Sequence, residues 1–253
     1  MLTIAGSDSG GEAGLQADVR TFTRLKVHCA CVITCVTAQN RNTVARLEPC
    51  SPRMVRAQLE TVAAAFSLSA AKTGMLFSAA IVREAAAFFR EARSVPLVVD
   101  PVIISTSGRR LLQTAGVDAL KHELLPLAAL VTPNVSEAEV LTGKKIATPA
   151  DLRAAARDIH DAFGCAALVK GGHLPGTSEA VDFLCSGDGE WMLSAPRARV
   201  KGLHGTGCVY SAAIAAWLAR GRRLEQAVKL AKDHITRMIL SRNRRLAVSG
   251  RGF

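Results

Sequence analysis

Aromatic side chains are scarce in this chain: they make up 4% of its 253 residues, although the formal net charge is +11. Proteins that bind single-stranded nucleic acids commonly stack the bases on aromatic rings set among basic residues. No such motif accompanies the arginines here, so the sequence argues against a nucleic-acid partner. The basic excess predicts instead a surface that attracts anionic small molecules.

Paired cysteine motifs are also lacking. The seven cysteines are odd in number and scattered, with no Cys-x-x-Cys pair among them. That pattern excludes a disulfide framework and a cysteine-type metal knuckle. It predicts a protein of the reducing cytoplasm.

Long apolar runs that could cross a membrane are missing as well. The apolar start Met1–Gly6 reaches Ser7 and Asp8 at once, and no basic segment precedes it. The sequence thus predicts neither a signal peptide nor a membrane span. With 49% hydrophobic residues and no linker or internal repeat, we expect one domain over residues 1–253.

Segments typical of strands alternate with segments of helical periodicity along the chain. The predicted strands are Leu2–Ala5, Val32–Ala38, Ala70–Leu76, Leu97–Val102, a segment from Ala129, Ala166–Lys170, and the hairpin Val181–Cys185 with Glu190–Leu193. The predicted helices are one ending near Leu25, then Ser51–Phe66, Ala79–Arg93, Gly116–Leu125, one begun by a Ser136-x-x-Glu139 cap, Pro149–Phe163, Val209–Leu218 and Leu224–Leu240. This order predicts a three-layer α/β fold, in which a largely parallel central sheet has helices on both faces.

Polar residues follow several of these strands. Gln39 follows the second predicted strand, and Asp100 and Asn134 lie at the ends of later ones. Because open parallel sheets bind ligands at the carboxyl ends of their strands, we expect a ligand site at this edge. A glycine-rich stretch, Gly6–Asp18, follows the first strand, but its spacing matches neither the dinucleotide fingerprint nor the P-loop.

The stretch Val200–Cys208 reads Val-Lys-Gly-Leu-His-Gly-Thr-Gly-Cys and precedes the alanine-rich run Val209–Leu218. Two glycines around Thr206 allow a tight turn, and a helix that starts there directs free N–H groups at an anion. A lone Gly-x-Gly equally fits a loop that only precedes a helix. This stretch alone does not decide between an anion site and a plain loop.

Eight short motifs occur in this order: Ala5–Asp8, Gly14–Asp18, Ala38–Asn40, Lys72–Leu76, Asp100–Val102, Thr132–Glu137, Val169–His173 and His204–Cys208. With them the chain resembles the hydroxymethylpyrimidine/phosphomethylpyrimidine kinases of thiamine biosynthesis, within the ribokinase superfamily. The likeness covers nearly the whole chain. Its closing Gly-Thr-Gly-Cys differs from the sugar kinases of that superfamily, which carry an aspartate where Cys208 stands.

The resemblance implies a ribokinase-like fold and an enzyme that uses ATP and Mg²⁺. Such an enzyme transfers the γ-phosphoryl group to the hydroxymethyl group of 4-amino-5-hydroxymethyl-2-methylpyrimidine, and then a second one to the monophosphate. It also implies a homo-oligomer, most simply a dimer. Phosphoryl transfer needs positioning and charge neutralisation more than covalent chemistry. The residues implied to act in catalysis are Gly205, Thr206, Gly207, Cys208 and Lys170.

By the same resemblance, the amides of 205–208 hold the moving phosphoryl group and Lys170 lies along the ATP phosphates. Asp100 and Glu137 hold Mg²⁺ largely through water, which suits an ion that dehydrates reluctantly. The residues implied to bind the nucleotide are Lys170, Asn134 and Thr206.

The residues implied to bind the pyrimidine are Gly6, Asp18, Gln39 and Met75. The Gln39 amide has a donor and an acceptor that match an aminopyrimidine edge, and Met75 would pack on the ring. A pyridoxal or pyridoxine-type kinase is an alternative, because its acceptor is also a hydroxymethyl group on a six-membered heteroaromatic ring. A weakened pyrimidine-binding relative that acts as a sensor is another.

Cys208 opens a predicted helix, where a thiol is expected to ionise below its usual pKa of about 8.5. That makes it a candidate base for the hydroxymethyl proton. The alternative is that Cys208 is merely a small residue at a helix start.

Glu12 departs from the family pattern, which has glycine in the first turn. A carboxylate beside a phosphate site repels an incoming monophosphate unless a basic neighbour compensates it. Further departures, expected to be peripheral, are Arg109, Arg110 and the tail 249–253. The histidines expected to be loop hydrogen-bonders are His173 and His204.

Overall fold

The computed structural model describes residues 1–105, 108–172, 174, 178–197 and 205–249, with side chains described up to 241. The strands in these ranges are β1 (Leu2–Asp8), β2 (Ala30–Gln39), β3 (Val44–Pro49), β4 (Ala71–Thr73), β5 (Leu97–Val99), β6 (Leu130–Val131), β7 (Ala166–Gly171), β8 (Glu179–Ser186) and β9 (Gly189–Pro196). They form one sheet in the order β3-β2-β1-β4-β5-β6-β7-β8-β9. The pairs from β2 through β7 are parallel, whereas β3, β8 and β9 pair antiparallel with their neighbours.

Helices cover both faces of this sheet. They are α1 (Gly14–Arg24), α2 (Pro52–Ala65), α3 (Ala79–Glu91), α4 (Thr114–Ala119), α5 (Val135–Thr142), α6 (Pro149–Phe163), α7 (Thr206–Ala219) and α8 (Leu224–Ser249). Helices α2 to α6 pack on one face, and α1, α7 and α8 pack on the other. The predicted three-layer α/β fold is therefore confirmed.

Strand β5 shows how the sequence builds the two cores. Leu97 and Val99 pack in the core under α2–α6, and Val98 packs in the core under α7. Successive strand side chains point to opposite faces, so a continuous apolar run serves both cores. Helix α7 is itself buried from Val209 through Ala216, which fixes its N-terminus over the carboxyl edge of the sheet.

Three differences from the sequence prediction concern the site. The central strands end earlier than predicted, at Thr73, Val99 and Val131, so the polar residues after them lie in loops. The capping box of α5 lies two residues earlier than predicted: Asn134 caps the helix and Glu137 completes the box. Asparagine is as good a cap as serine, so Asn134 can take the position that the prediction gave to Ser136.

The third difference is β3, which the sequence pattern does not predict. In this edge strand Val44 alone is buried, so the apolar alternation of a half-buried strand is missing.

Among the described residues, no helix combines the length and the apolar character that a bilayer crossing requires.

Candidate active site

A cavity of about 920 Å³ runs along the carboxyl edge of the sheet, from the β2 end to the β9 end. Its wall includes Gly6, Gln39 and Met75 at the β2 end and Ala195 at the β9 end. The N-terminus of α7, residues 205–208, lies between the two ends, because α7 packs over β4 and β5. The size is at the upper end of that of small-molecule sites.

The turn between β1 and α1 packs directly against the start of α7. The Asp8 carboxylate organises this turn by accepting from three backbone N–H groups: Gly10 (2.9 Å), Glu12 (2.9 Å) and Ala13 (2.8 Å). Gly205 has φ +76°, and a Cβ there would lie 2.0 Å from the Glu12 carbonyl oxygen. Only glycine allows this approach. The Gly-Thr-Gly motif therefore forms a close contact between two loops, and it is more than a plain loop before a helix.

Lys72, to which the sequence pattern gives no role, is a fully buried cation at the cavity. Its Nζ lies 3.0 and 2.9 Å from the two carboxylate oxygens of Asp18, and Thr3 Oγ1 donates to the same carboxylate at 2.7 Å. Burial alone lowers the pKa of Lys72, but the charges of Asp18 and Asp100 outweigh it and raise that pKa. The sequence feature that indicates a role for Lys72 is its position inside the buried strand β4, because a buried lysine needs an acidic partner.

Asp18 lies beneath the cavity and not among the residues that line it. It is fully buried, and both of its carboxylate oxygens accept from Lys72. The predicted direct contact between Asp18 and the substrate does not agree with this placement. The physical reason is the ion pair, which occupies the carboxylate.

Asp100 and Lys170 meet under the N-terminus of α7. Asp100 Oδ1 lies 3.0 Å from Lys170 Nζ, and Ser211 Oγ donates to Asp100 Oδ2 at 3.1 Å. Burial raises the pKa of Asp100, but Lys170 and Lys72 outweigh it and hold that pKa below its usual value. A Cβ on Gly207 would lie 3.3 Å from Lys170 Nζ, so this ammonium group lies against the helix start. Ser211, which the sequence analysis missed, orients Asp100 from within α7.

The carboxylate of Glu137 lies on the wall of the same cavity. Its oxygens accept from the backbone N–H groups of Asn134 (2.9 Å) and Ile103 (3.3 Å). Burial, with Asp100 adding to it, raises the pKa of Glu137 to about 7. In the described part of the chain, no three His, Cys, Asp or Glu side chains are arranged to hold a metal directly. Two carboxylates with engaged oxygens fit a Mg²⁺ ion that is held through water.

The β2 end of the cavity brings Gly6, Gln39 and Met75 together. Met75 belongs to a small apolar cluster with Cys35, and a Cβ on Gly6 would lie 2.5 Å from Met75 Cε. The Gln39 backbone is fixed by Ser9, whose Oγ donates to the Gln39 carbonyl at 2.9 Å and accepts from its N–H at 2.8 Å. At this end of the cavity an apolar wall therefore lies beside Gln39, whose backbone is held in place and whose side chain carries an amide.

Glu12 has the basic neighbour that the sequence alone could not identify. Arg41, in the turn between β2 and β3, donates from Nε to both carboxylate oxygens of Glu12, at 2.8 and 2.7 Å. Of the two possibilities that the sequence left open for Glu12, the structure therefore supports the compensated carboxylate. At the periphery, the Arg109 guanidinium donates to the Val44 carbonyl and ties its loop to β3. Residues outside the described ranges include His173, 200–204 and 250–253.

The predicted acidification of Cys208 is contradicted. Burial raises the pKa of this thiol to about 11, and Asp100 and Asp18 add to the rise. Lys72 and the Gly14 N–H act against it but do not overcome it. A thiol whose pKa is raised in this way stays protonated at pH 7, which does not suit a thiolate base.

We expect iodoacetamide to alkylate Cys208 much more slowly at pH 7 than Cys31, which is exposed and whose pKa is lowered chiefly by its contact with Cys29. Peptide mass spectrometry between pH 6 and pH 10 measures both rates. Cys208→Ala is expected to keep kcat within about tenfold, since loss of a general base costs about 10²–10⁴. Rapid alkylation at pH 7, together with a larger loss of kcat, would restore the base role.

The sequence matches the phosphomethylpyrimidine kinase family over residues 8–250. The chain belongs to this family. It is 45% identical over 256 residues to a hydroxymethylpyrimidine/phosphomethylpyrimidine kinase of Rhizobium meliloti, covering 99% of this chain and 94% of that protein. It is 43% identical over 239 residues to a bifunctional thiamine biosynthesis protein of Geobacter sulfurreducens. That match covers 94% of this chain but about half, 49%, of the bifunctional protein.

Solved structures of kinases share the fold. A phosphomethylpyrimidine kinase from Clostridium difficile is 38% identical with a TM-score of 0.83, covering 94% of this chain and 98% of its own. A Bacillus subtilis pyridoxal kinase, solved as an ADP complex, is 35% identical with a TM-score of 0.85, covering 92% and 88%. This phosphomethylpyrimidine kinase family member is therefore a phosphotransferase with a ribokinase-like fold.

Proposed function

We propose that the protein uses ATP to phosphorylate the hydroxymethyl group of 4-amino-5-hydroxymethyl-2-methylpyrimidine, and then the resulting monophosphate, in thiamine biosynthesis. The observation that supports this best is the shared cavity. An apolar end with Gln39 and Met75 adjoins the α7 N-terminus, where the ammonium groups of Lys72 and Lys170 line the cavity, each held by an aspartate. An uncharged acceptor ring and an anionic donor can lie side by side in such a space.

The phosphoryl group would move at the N-terminus of α7. Backbone N–H groups of 205–208 point out of a helix start and favour an anion. Lys170 lies against Gly207, so its ammonium group can follow the ATP phosphates while Asp100 holds it. Fixed donors and charges of this kind stabilise charge in the transition state without reorganising. Asn134 and Thr206, which line the same cavity, belong to the nucleotide side of this proposal.

Asp100 and Glu137 would hold Mg²⁺ through water, and the ion when bound would supply positive charge to the ATP phosphates. The chain itself keeps Asp100 ionised and oriented. Lys170 and Ser211 each bind one of its oxygens, which leaves the carboxylate a fixed acceptor for metal-bound water.

At the acceptor end, the Gln39 amide would pair with the aminopyrimidine edge, and Met75 would pack on the ring beside Gly6. Asp18 would act indirectly, by keeping Lys72 charged and in place. The group that takes the proton of the acceptor hydroxyl is then not the Cys208 thiolate. We therefore retain only the backbone amide of Cys208 in this proposal, as a donor to the moving phosphoryl group.

A coupled assay of ADP release tests the proposal with three acceptors: the pyrimidine alcohol, its monophosphate and pyridoxal. We expect turnover on both pyrimidines, with kcat/KM at least about tenfold above that for pyridoxal, which corresponds to about 1.4 kcal/mol. A pyridoxal kinase is the second candidate, favoured by the 35% identity to the Bacillus subtilis enzyme. A higher kcat/KM for pyridoxal would select it. Pyrimidine binding without turnover would indicate a sensor.

Gln39→Leu is expected to raise KM for the pyrimidine about 5- to 150-fold and to leave KM for ATP nearly unchanged, because a lost hydrogen bond in a closed site costs about 1–3 kcal/mol. Steady-state kinetics with each substrate varied in turn measures the split. Gln113→Leu is the matched control, since Gln113 is exposed and its side chain makes no cap hydrogen bond. Equal changes in both KM values would refute the contact.

We also propose a single kinase domain over residues 1–253 that acts in the cytoplasm as a homodimer. The seven cysteines are free in the structure, which agrees with a reducing compartment. Light scattering on the purified full chain tests the dimer.

A further inference from the structure

Two turns at the rim of the cavity are joined by a charged pair. Arg41 donates to the Glu12 carboxylate from Nε and, by a second contact, from Nη2 to the same group. Two donors to one carboxylate hold the guanidinium more firmly than a single contact does. The Glu12 side chain is 19% exposed and that of Arg41 is 62% exposed.

This pair stands beside both parts of the site. Ala13 and Gly14, next to Glu12, line the cavity, and so does Gln39, two residues before Arg41. The Glu12 carbonyl oxygen is the atom that Gly205 approaches most closely. The Glu12 backbone therefore packs against the α7 N-terminus, where the proposal above puts the moving phosphoryl group, and the Glu12–Arg41 pair lies at the rim, outside the residues that line the cavity.

We propose that Arg41 determines specificity for the phosphorylated acceptor by cancelling the charge of Glu12. This inference rests on the proposed function. A phosphate monoester carries about −1.5 to −2 charges at pH 7, whereas the pyrimidine alcohol brings no such charge. Removing the guanidinium takes a positive charge from beside the Glu12 carboxylate, and this loss disfavours the anionic monophosphate far more than the alcohol. The pair thus lets the chain keep a glutamate in its first turn and still admit an anionic acceptor.

The test compares kcat/KM for the alcohol and for the monophosphate in the full-length enzyme. Arg41→Gln is expected to lower the value for the monophosphate about tenfold more than the value for the alcohol. The double variant Glu12→Gln/Arg41→Gln is expected to return the ratio to within about twofold of the parent, since neither charge remains. Arg46→Gln is the matched control: Arg46 is exposed in β3 and pairs with Glu48 at 3.4 Å.

Salt gives a second readout that a merely structural contact would not move. The defect of Arg41→Gln on the monophosphate should shrink as ionic strength rises towards about 0.5 M, because exposed charges are screened.

An unchanged ratio in Arg41→Gln would overturn the inference, and so would an equal loss on both acceptors. A double variant that stays as poor as Arg41→Gln would also overturn it, because Arg41 would then bind the phosphate itself. An inactive parent enzyme would overturn the proposed function and this inference together, whereas an active parent with an unchanged ratio overturns the inference alone.

Discussion

Lys72→Met is expected to lower the free energy of unfolding by about 3–5 kcal/mol, because it leaves the buried Asp18 carboxylate without its ammonium partner. Both side chains of the pair are fully buried, so water cannot replace the lost charge. Activity should fall as well, since Lys72 lies at the cavity between Asp18 and Asp100. Urea unfolding followed by circular dichroism measures the loss.

The control is the double variant Lys72→Met/Asp18→Asn, which removes both charges of the pair. It should recover much of the stability but not the activity, because a neutral buried pair costs far less than one orphaned charge. A loss below about 1 kcal/mol in Lys72→Met would show that water or another group satisfies Asp18.

The stability defect of Lys72→Met should also depend on pH. Burial raises the pKa of Asp18 above its ordinary value of 3.8, and Lys72 lowers it. Without Lys72 that pKa rises further, and the folded variant prefers the protonated acid. A group with a raised folded pKa contributes stability at low pH that is lost as pH rises through that pKa. The defect should therefore be smaller at pH 5 than at pH 8, and a defect that does not change would contradict the assignment.

Lys170→Met is expected to lower kcat about 100- to 1,000-fold, the range found when a fixed charge-stabilising donor is removed from an active site. The ammonium group lies 3.0 Å from Asp100 and against Gly207 at the start of α7. Single-turnover kinetics with ATP measures the loss at the phosphoryl-transfer step.

Lys229→Met is the matched control, because Lys229 is exposed on α8 and pairs with Glu225 on its own helix. Thermal unfolding of each variant separates lost chemistry from lost folding, since Lys170→Met also leaves Asp100 without its partner. A kcat within about threefold of the parent would remove Lys170 from the catalytic proposal.

The parts of the fold that the sequence predicts are those set by local pattern. Helix α6 spans Pro149–Phe163 as predicted, since Thr148 and Asp151 form a capping box and Gly164 ends the helix in a left-handed conformation. The β8–β9 hairpin was likewise predictable from local pattern, because a turn at 187–188 separates two strands. The sheet order and the edge strand β3 depend on pairing between distant segments, which no local pattern records.

The site divides in the same way. Gln39 was predictable from the pattern because it lies at the end of a parallel strand, whereas Gly6 and Met75 were assigned to this end of the site by the family resemblance. The sequence pattern does not predict the ion-pair partner of Lys72, because Asp18 lies 54 positions away on another element. The predicted acidification of the Cys208 thiol is wrong for a related reason. A helix start favours ionisation of this thiol, but burial and two distant aspartates decide its pKa.

Phosphorus NMR of a reaction that contains the full-length chain, ATP, Mg²⁺ and the pyrimidine alcohol tests the central claim most directly. We expect a phosphate monoester resonance to grow as the γ-phosphate resonance of ATP decays, and then to give way to a pair of diphosphate resonances. Conversion of ATP to inorganic phosphate with no monoester, or a monoester formed from pyridoxal but not from the pyrimidine, would contradict the account.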